Sequence, residues 1–185
     1  MSGPVGDNVL RGSGVVKAVV VEGGLDVADQ WRQNANAQMP GSGVVLFDGI
    51  AERVDTAGQG TRGSAMSVSS GVWTFPETGI WSVFAQGELY TSNNGDGSVK
   101  LGLKMEATTD DSSYAVVSEG YVWNPSNQFT YQTAQCESLI DVTDTSNVKI
   151  KVTGINGGTN NSDRNWLGGS TINQTFITFL KLGAT

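Results

Sequence analysis

The run I-W-S-V-F-A-Q-G-E-L-Y at residues 80–90 puts bulky apolar side chains on both sides of one extended strand. Successive strand residues point to opposite faces. Trp81, Val83 and Leu89 therefore share one face, and Ile80, Phe84 and Tyr90 the other. The run at residues 171–182 repeats the pattern, with Phe176 and Leu180 against Ile177 and Phe179. A two-layer sandwich covers one face of each sheet, so such strands need a second cover. No long 3.6-residue apolar period supplies a helix for that purpose, which points to another copy of the same sheet.

The rest of the chain is punctuated into short strands. Residues 72–75 and 80–90 are joined by Pro76-Glu77-Thr78-Gly79. Pro76 lacks a donor and suits a strand end, and Gly79 can take a positive φ on re-entry to the sheet. Residues 44–50 read as the first strand of the main domain, 52–63 as a loop, and 64–69 as a strand with Met66 and Val68 on one face. Val99, Leu101, Leu103 and Met105 alternate with Lys100, Gly102, Lys104 and Glu106, giving a strand with one wet face. Residues 114–123 and 128–142 read as strands, 148–152 as another one-sided strand, and 154–169 as a long polar loop. Many short strands between Gly, Asn, Asp and Ser clusters suggest an all-β sandwich or barrel.

Residues 1–40 differ in character. Residues 1–14 are Gly-rich and polar and read as an extended arm. Residues 15–21, V-V-K-A-V-V-V, form a short apolar strand interrupted by Lys17. Residues 25–38 fit a short helix capped by Asp26 and ended by Pro40, with Val27, Gln30, Trp31 and Asn34 near one face. The expected division is therefore an arm over 1–40, anchoring the chain or clasping an oligomer, and a main domain over 41–185. Val15, Val16, Val19, Val21 and Trp31 are the expected anchoring residues.

Composition excludes several function classes. The 185 residues carry a net charge of −7, with eleven scattered basic residues, so no phosphate-binding surface is expected. The absence of histidine rules out a Ser-His-Asp triad, a Cys-His pair and a His-ligated metal. Cys136 has no partner for an intrachain disulfide. No run approaches the roughly 20 apolar residues of a membrane helix, and residues 1–7 lack the basic start and apolar run of a signal peptide. Asn93-Asn94-Gly95-Asp96-Gly97 lacks the later bidentate Glu of a calcium loop and reads as a hairpin turn. Asp110/Asp111 and Asp141/Asp144 are carboxylate pairs beside turns, where Asp serves local hydrogen bonding. No cofactor and no catalytic or metal-binding residues are expected. Trp123 and Trp166, near loops, are candidate ligand-stacking groups.

The block Phe75, Pro76, Gly79, Ile80, Trp81 and Phe84 resembles the central signature of the tumour-necrosis-factor-like and complement globular-head jelly rolls. Phe47 sits where that family has its first-strand Phe, and Phe176, Phe179 and Leu182 fall at its closing strand. The resemblance, over residues 44–182, implies a ten-strand jelly-roll sandwich assembled as a compact homotrimer. Its first, third and last strands would lie nearest the threefold axis. Phe47, Phe75, Trp81, Phe84, Tyr90, Phe176, Ile177, Phe179 and Leu182 are then the expected core and trimer-interface residues.

The chain departs from the family in having no Gly-X-Y stalk, no signal and one cysteine. Those departures favour a virion component, particularly of a bacteriophage, made in the host cytoplasm. The expected role is a non-enzymatic capsid decoration or cement protein, with the major capsid or another virion protein as partner and neither nucleic acid nor membrane. The alternative is a fibre-tip or adhesin domain that reads a host glycan through loops 92–97, 107–113 and 154–169, with Trp166 as the stacking platform.

Overall fold

The computed structural model describes residues 25–39, 43–92, 99–125, 129–158 and 164–185. The expected arm strand, with Val15, Val16, Val19 and Val21, and the turn at 93–97 lie outside the described residues. Twelve strands form two antiparallel sheets, and no helix occurs among the described residues. The fold is an all-β sandwich.

One sheet is built on β6 (Gly79–Thr91). β9 (Thr130–Val142) pairs along its whole length. The other edge of β6 is shared by β12 (Phe176–Gly183) beside residues 80–86 and β11 (Arg164–Trp166) beside residues 89–91. β1 (Ala28–Gln33) follows β12, with Ala28 opposite Leu180 and Arg32 opposite Phe176. β3 (Ala51–Arg53) ends this sheet beside β1, and β2 (Ala37–Gln38) pairs with β11. The second sheet runs in the order β4 (Ser67–Ser69), β5 (Val72–Thr74), β10 (Lys149–Asn156), β7 (Val99–Thr108), β8 (Ala115–Asn124). β8 closes against β9: Gln132 Nε2 donates to the Trp123 carbonyl at 2.9 Å.

The core follows strand alternation. On β6, Trp81, Val83, Ala85 and Leu89 point inward, and on β7, Val99, Leu101, Leu103 and Met105 meet them. Aromatic rings run through the middle. Trp73 lies 5.4 Å from Trp31, 5.7 Å from Phe47 and 5.2 Å from Phe179, and Phe75 lies 5.2 Å from Trp81. Each such side chain contributes about 1.5–3 kcal/mol on burial, with tilted or edge contacts between rings adding about 0.5–1.5 kcal/mol.

Three local expectations are corrected. The stretch expected as a helix is strand: β1 and β2 occupy it. Val27 and Trp31 are four apart, which satisfies both a period of 2 and one of about 3.6. The vacant edge of β12 decides between them. Asp29, which also points inward, is buried but bonded: its carboxylate accepts from the Trp31 indole (3.0 Å), the Met66 amide (2.9 Å) and the Arg53 guanidinium (2.8 Å). Residues 28–38 thus belong to the sandwich, and Trp31 packs on Trp73 rather than serving an arm.

The second correction concerns residues 44–50, which form a corner rather than a strand. Residues 43–46 bond to β10 through Leu46 N–H to the Val152 carbonyl (2.8 Å) and Gly43 N–H to the Gly154 carbonyl (2.8 Å). The chain then crosses to β3 with Phe47 at φ 67°, a conformation that costs a non-Gly residue free energy. Burial of the Phe47 ring against Trp73 offsets that cost. Third, the long polar loop expected at 154–169 contains the end of β10 and all of β11.

Candidate subunit interface

The outward residues of β6 are Ile80, Ser82, Phe84, Gln86, Glu88 and Tyr90, all half-buried. Register supplies their neighbours. β9 places Leu139 beside Ser82, Glu137 beside Phe84, Gln135 beside Gln86 and Tyr131 beside Tyr90. β12 places Leu180 beside Ser82, Thr178 beside Phe84 and Phe176 beside Gln86. The rings cluster: Phe84 and Phe176 are 5.9 Å apart at 46°, and Tyr90 and Tyr131 are 5.0 Å apart at 42°. Leu139 and Tyr131 are largely exposed in the single chain.

Polar groups on this face bond to each other. Gln135 Nε2 donates to Gln86 Oε1 (2.8 Å), Ser82 Oγ to Glu137 Oε1 (3.2 Å), Gln30 Nε2 to Thr178 Oγ1 (2.6 Å) and Asn173 Nδ2 to Gln30 Oε1 (2.7 Å). Gln30 and Gln86 use both amide atoms in such bonds and can meet another surface without being stranded, whereas Asn173 Oδ1 is buried with no partner among the described residues.

Toward β1 the face is already covered. Arg32 points outward from β1 yet is fully buried. Its guanidinium donates to Glu52 Oε1 (2.9 Å), Asp55 Oδ1 (2.8 Å), Thr56 Oγ1 (3.2 Å) and Gln59 Oε1 (3.3 Å). The loop over residues 54–59 therefore lies across this end of the sheet. The open part of the face is the band from Ile80 and Leu180 through Phe84 and Phe176 to Tyr90 and Tyr131.

The structure separates the residues expected at core and interface. Phe47, Phe75, Trp81, Ile177 and Phe179 lie inside the sandwich. Phe84, Tyr90 and Phe176 lie on the outer face, half-buried, and Leu182 is exposed at the β12 register shift between Lys181 and Gly183. The two candidate stacking groups also part. Trp123 is 61% exposed, whereas Trp166 is 1% exposed and belongs to the core. Trp166 is buried because β11 turns its inward face onto β6, where Gly87 leaves room for the indole. It cannot serve as a stacking platform.

Tyr121 joins Trp123 as an exposed aromatic on β8, and Phe129 and Tyr131 are exposed just before and at the start of β9. Tyr121, Phe129 and Tyr131 escaped the sequence reading, although Tyr121/Trp123 and Phe129/Tyr131 each share a face at a spacing of two. Arg32 escaped as well: a charged residue between Trp31 and Gln33 gives no sign of a covering loop.

No group of three or more Cys, Asp or Glu side chains able to hold a metal occurs among the described residues. Asp110 accepts hydrogen bonds from the Ser113 and Ser112 amides (2.7 and 2.9 Å) and the Thr108 hydroxyl (2.8 Å). The Ser113 amide, foremost among these donors, holds its carboxyl well below the usual carboxylate range. Asp111 pairs with Lys149 at 2.7 Å. Asp144 ties its own turn through the Ser146 amide and the Asn147 side chain (2.7 and 2.9 Å). Burial pushes the Cys136 thiol up to about 12, so it stays protonated and un-nucleophilic near neutral pH.

No family model and no curated relative matches the chain. Solved structures do. The Eiger tumour-necrosis-factor protein of S. frugiperda superposes with a TM-score of 0.62 at 12% identity, over 88% of this chain and 96% of that one. Murine APRIL at pH 5.0 gives 0.56 at 14% identity, over 84% and 98%. The globular domain of zebrafish complement 1qA protein gives 0.53 at 11% identity, over 86% and 99%. Identity this low carries the fold alone, and the fold is the tumour-necrosis-factor-like jelly roll.

Proposed function

We propose that the protein is a non-enzymatic structural module that works as a homotrimer, closed through the outer face of the β6–β9–β12 sheet. One observation carries this reading: Phe84, Phe176, Leu180, Tyr131 and Leu139 share a face that no element of the single chain covers among the described residues. An apolar band of this kind beside the internally bonded Gln30 and Gln86 amides suits a permanent protein–protein contact. The threefold form is supported by the jelly-roll fold and by the resemblance of the Phe75–Phe84 block. Sedimentation equilibrium of the full chain tests it. A mass near three times 19.4 kDa is expected; a species of 19.4 kDa at every concentration would end the proposal.

The finer reading is a decoration or cement protein on a virion surface, attached through the segment that precedes β1. It is supported by the acidic composition and by the β-branched run at 15–21. The membership of β1 in the sheet sets where the attachment can be cut: a deletion must stop at residue 24. The chain lacking residues 1–24 should remain a folded trimer that no longer joins particles. Normal incorporation would remove the attachment role.

The exposed pair Tyr121 and Trp123 on β8, outside the proposed interface, favours a second reading, a domain that stacks on a glycan. Glycan-array binding that is lost with Trp123→Ala while the trimer persists would select it over the first.

A further inference from the structure

On the outer face of the second sheet the lysines outnumber the carboxylates. Alternation turns Lys100, Lys104 and Glu106 of β7 outward, with Glu119, Tyr121 and Trp123 of β8 on one side and Lys149 and Lys151 of β10 on the other. Asp111 takes up Lys149 at 2.7 Å. Lys151 makes no ion pair among the described residues, and its ammonium lies 4.2 Å from the centre of the Tyr114 ring. The chain as a whole has a charge of −7, and the outward carboxylates Glu88, Glu137 and Asp141 lie on the other sheet. A small anion is therefore repelled by most of the molecule and drawn to this face.

At the β8 side of the face Trp123 lies directly opposite Lys100. The Trp123 side chain is exposed, and its carbonyl accepts from Gln132 Nε2 at 2.9 Å, so a broad ring stands on a fixed backbone. The Lys100 ammonium lies 3.9 Å from the centre of the Tyr121 ring and 3.4 Å from Glu119 Oε1. The ring contact holds the ammonium without cancelling its charge. The Glu119 pair is long and solvent-exposed, so it contributes little and yields to a competing anion.

We propose that Trp123 and Lys100 form one subsite for a sugar that carries a carboxylate, such as a terminal uronic or sialic acid. The inference rests on the glycan reading above and names the class of sugar. The negative face of the indole attracts the positive C–H edges of a pyranose ring. Cross-strand partners have Cβ atoms about 4.5–5.5 Å apart, so the Lys100 ammonium reaches a carboxylate at the edge of a ring stacked on Trp123. The charge-assisted bond formed there is stronger than one to a neutral hydroxyl. The net charge of −7 disfavours a long polyanion, which leaves a glycan with its acid at the end.

Glycan arrays read with the full chain test the proposal, each acid-terminated glycan being printed beside the same glycan with its carboxylate reduced to an alcohol. The acid forms should bind about tenfold more tightly. Lys100→Gln should remove that difference and leave binding of the alcohol forms as before. Glu119→Gln frees the ammonium and should strengthen binding of the acid forms severalfold. Trp123→Ala should abolish both. These positions lie outside the core, so each variant should keep the sedimentation mass of the parent chain. Equal binding of acid and alcohol forms, lost with Trp123→Ala, would overturn the carboxylate preference and leave the glycan reading standing. Absence of any Trp123-dependent binding would end both. Polyglutamate that competes as well as the acid-terminated glycan would show attraction by charge alone and would also overturn the proposal.

Discussion

Gly87 on β6 lies directly under the Trp166 indole of β11, so closely that a Cβ at Gly87 would overlap the ring's Cζ3 and Cε3 atoms. The ring is buried and cannot swing aside. Gly87→Ala should therefore destabilise the domain by about 1–3 kcal/mol through overpacking. Trp166→Ala should cost about 3–5 kcal/mol by leaving a cavity. Denaturant titration followed by fluorescence measures both. Tolerance of alanine at Gly87 would mean that β11 is not held against β6 as described.

The outer face should respond differently from the core. Phe84→Asp and Phe176→Asp place a charge on half-exposed positions, so each chain should still fold. Assembly should fail, because a carboxylate buried without a partner is strongly unfavourable. The expected result is a fall in mass from three times 19.4 kDa to 19.4 kDa with an unchanged far-ultraviolet spectrum.

Arg32 pins the loop over residues 54–59 to the sheet. Arg32→Met keeps the aliphatic stem and removes the guanidinium. Loss of a buried charge partner costs about 3 kcal/mol or more where both groups are buried, but Asp55 is 74% exposed, so its share is small. Glu52, at 27%, carries most of the effect. The stability loss should be near 2 kcal/mol, within the range for charged hydrogen bonds. The loop should also become a site of limited proteolysis, seen as cleavage between residues 54 and 59.

Two groups give opposite pH signatures. Cys136 is raised in the fold, so its contribution is complete below the unfolded thiol value near 9 and is lost as pH rises toward about 12. Asp110 is lowered in the fold. Its contribution is present above the unfolded value of 3.8 and is lost as pH falls through the folded one. Melting temperatures should show a shallower alkaline decline in Cys136→Ala and a shallower acid decline in Asp110→Ala than in the parent chain. At pH 8 the native thiol should resist a disulfide reagent until denaturant is added.

The legible parts of the sequence were those where one periodicity had no rival. The double-faced β6 and β12 and the single-faced β7 and β10 were readable because period-2 alternation in long runs excludes a helix. β1 was not readable: Val27 and Trp31 fit two periods, and the choice belongs to β12, some 150 residues away in sequence. Phe47 reads as a strand residue because nothing local announces a positive φ at an aromatic side chain. Trp166 reads as a loop group because β11 has only three residues, held by β6 rather than by its own propensity. Phe84, Tyr90 and Phe176 on the outer face are legible, while Tyr131 beside Tyr90, the Arg32 clamp and the Asp29 cluster depend on tertiary neighbours.

The antiparallel pairing of β1 with β12 brings Ala28 alongside Leu180. Tension applied between those two residues would load the β1–β12 ladder one rung at a time instead of shearing all rungs together. A tether drawn from the beginning of β1 against a grip near the end of β12 should thus peel the domain open at low force. A tether on β1 resisted through β9 would have to break the whole β6 framework at once.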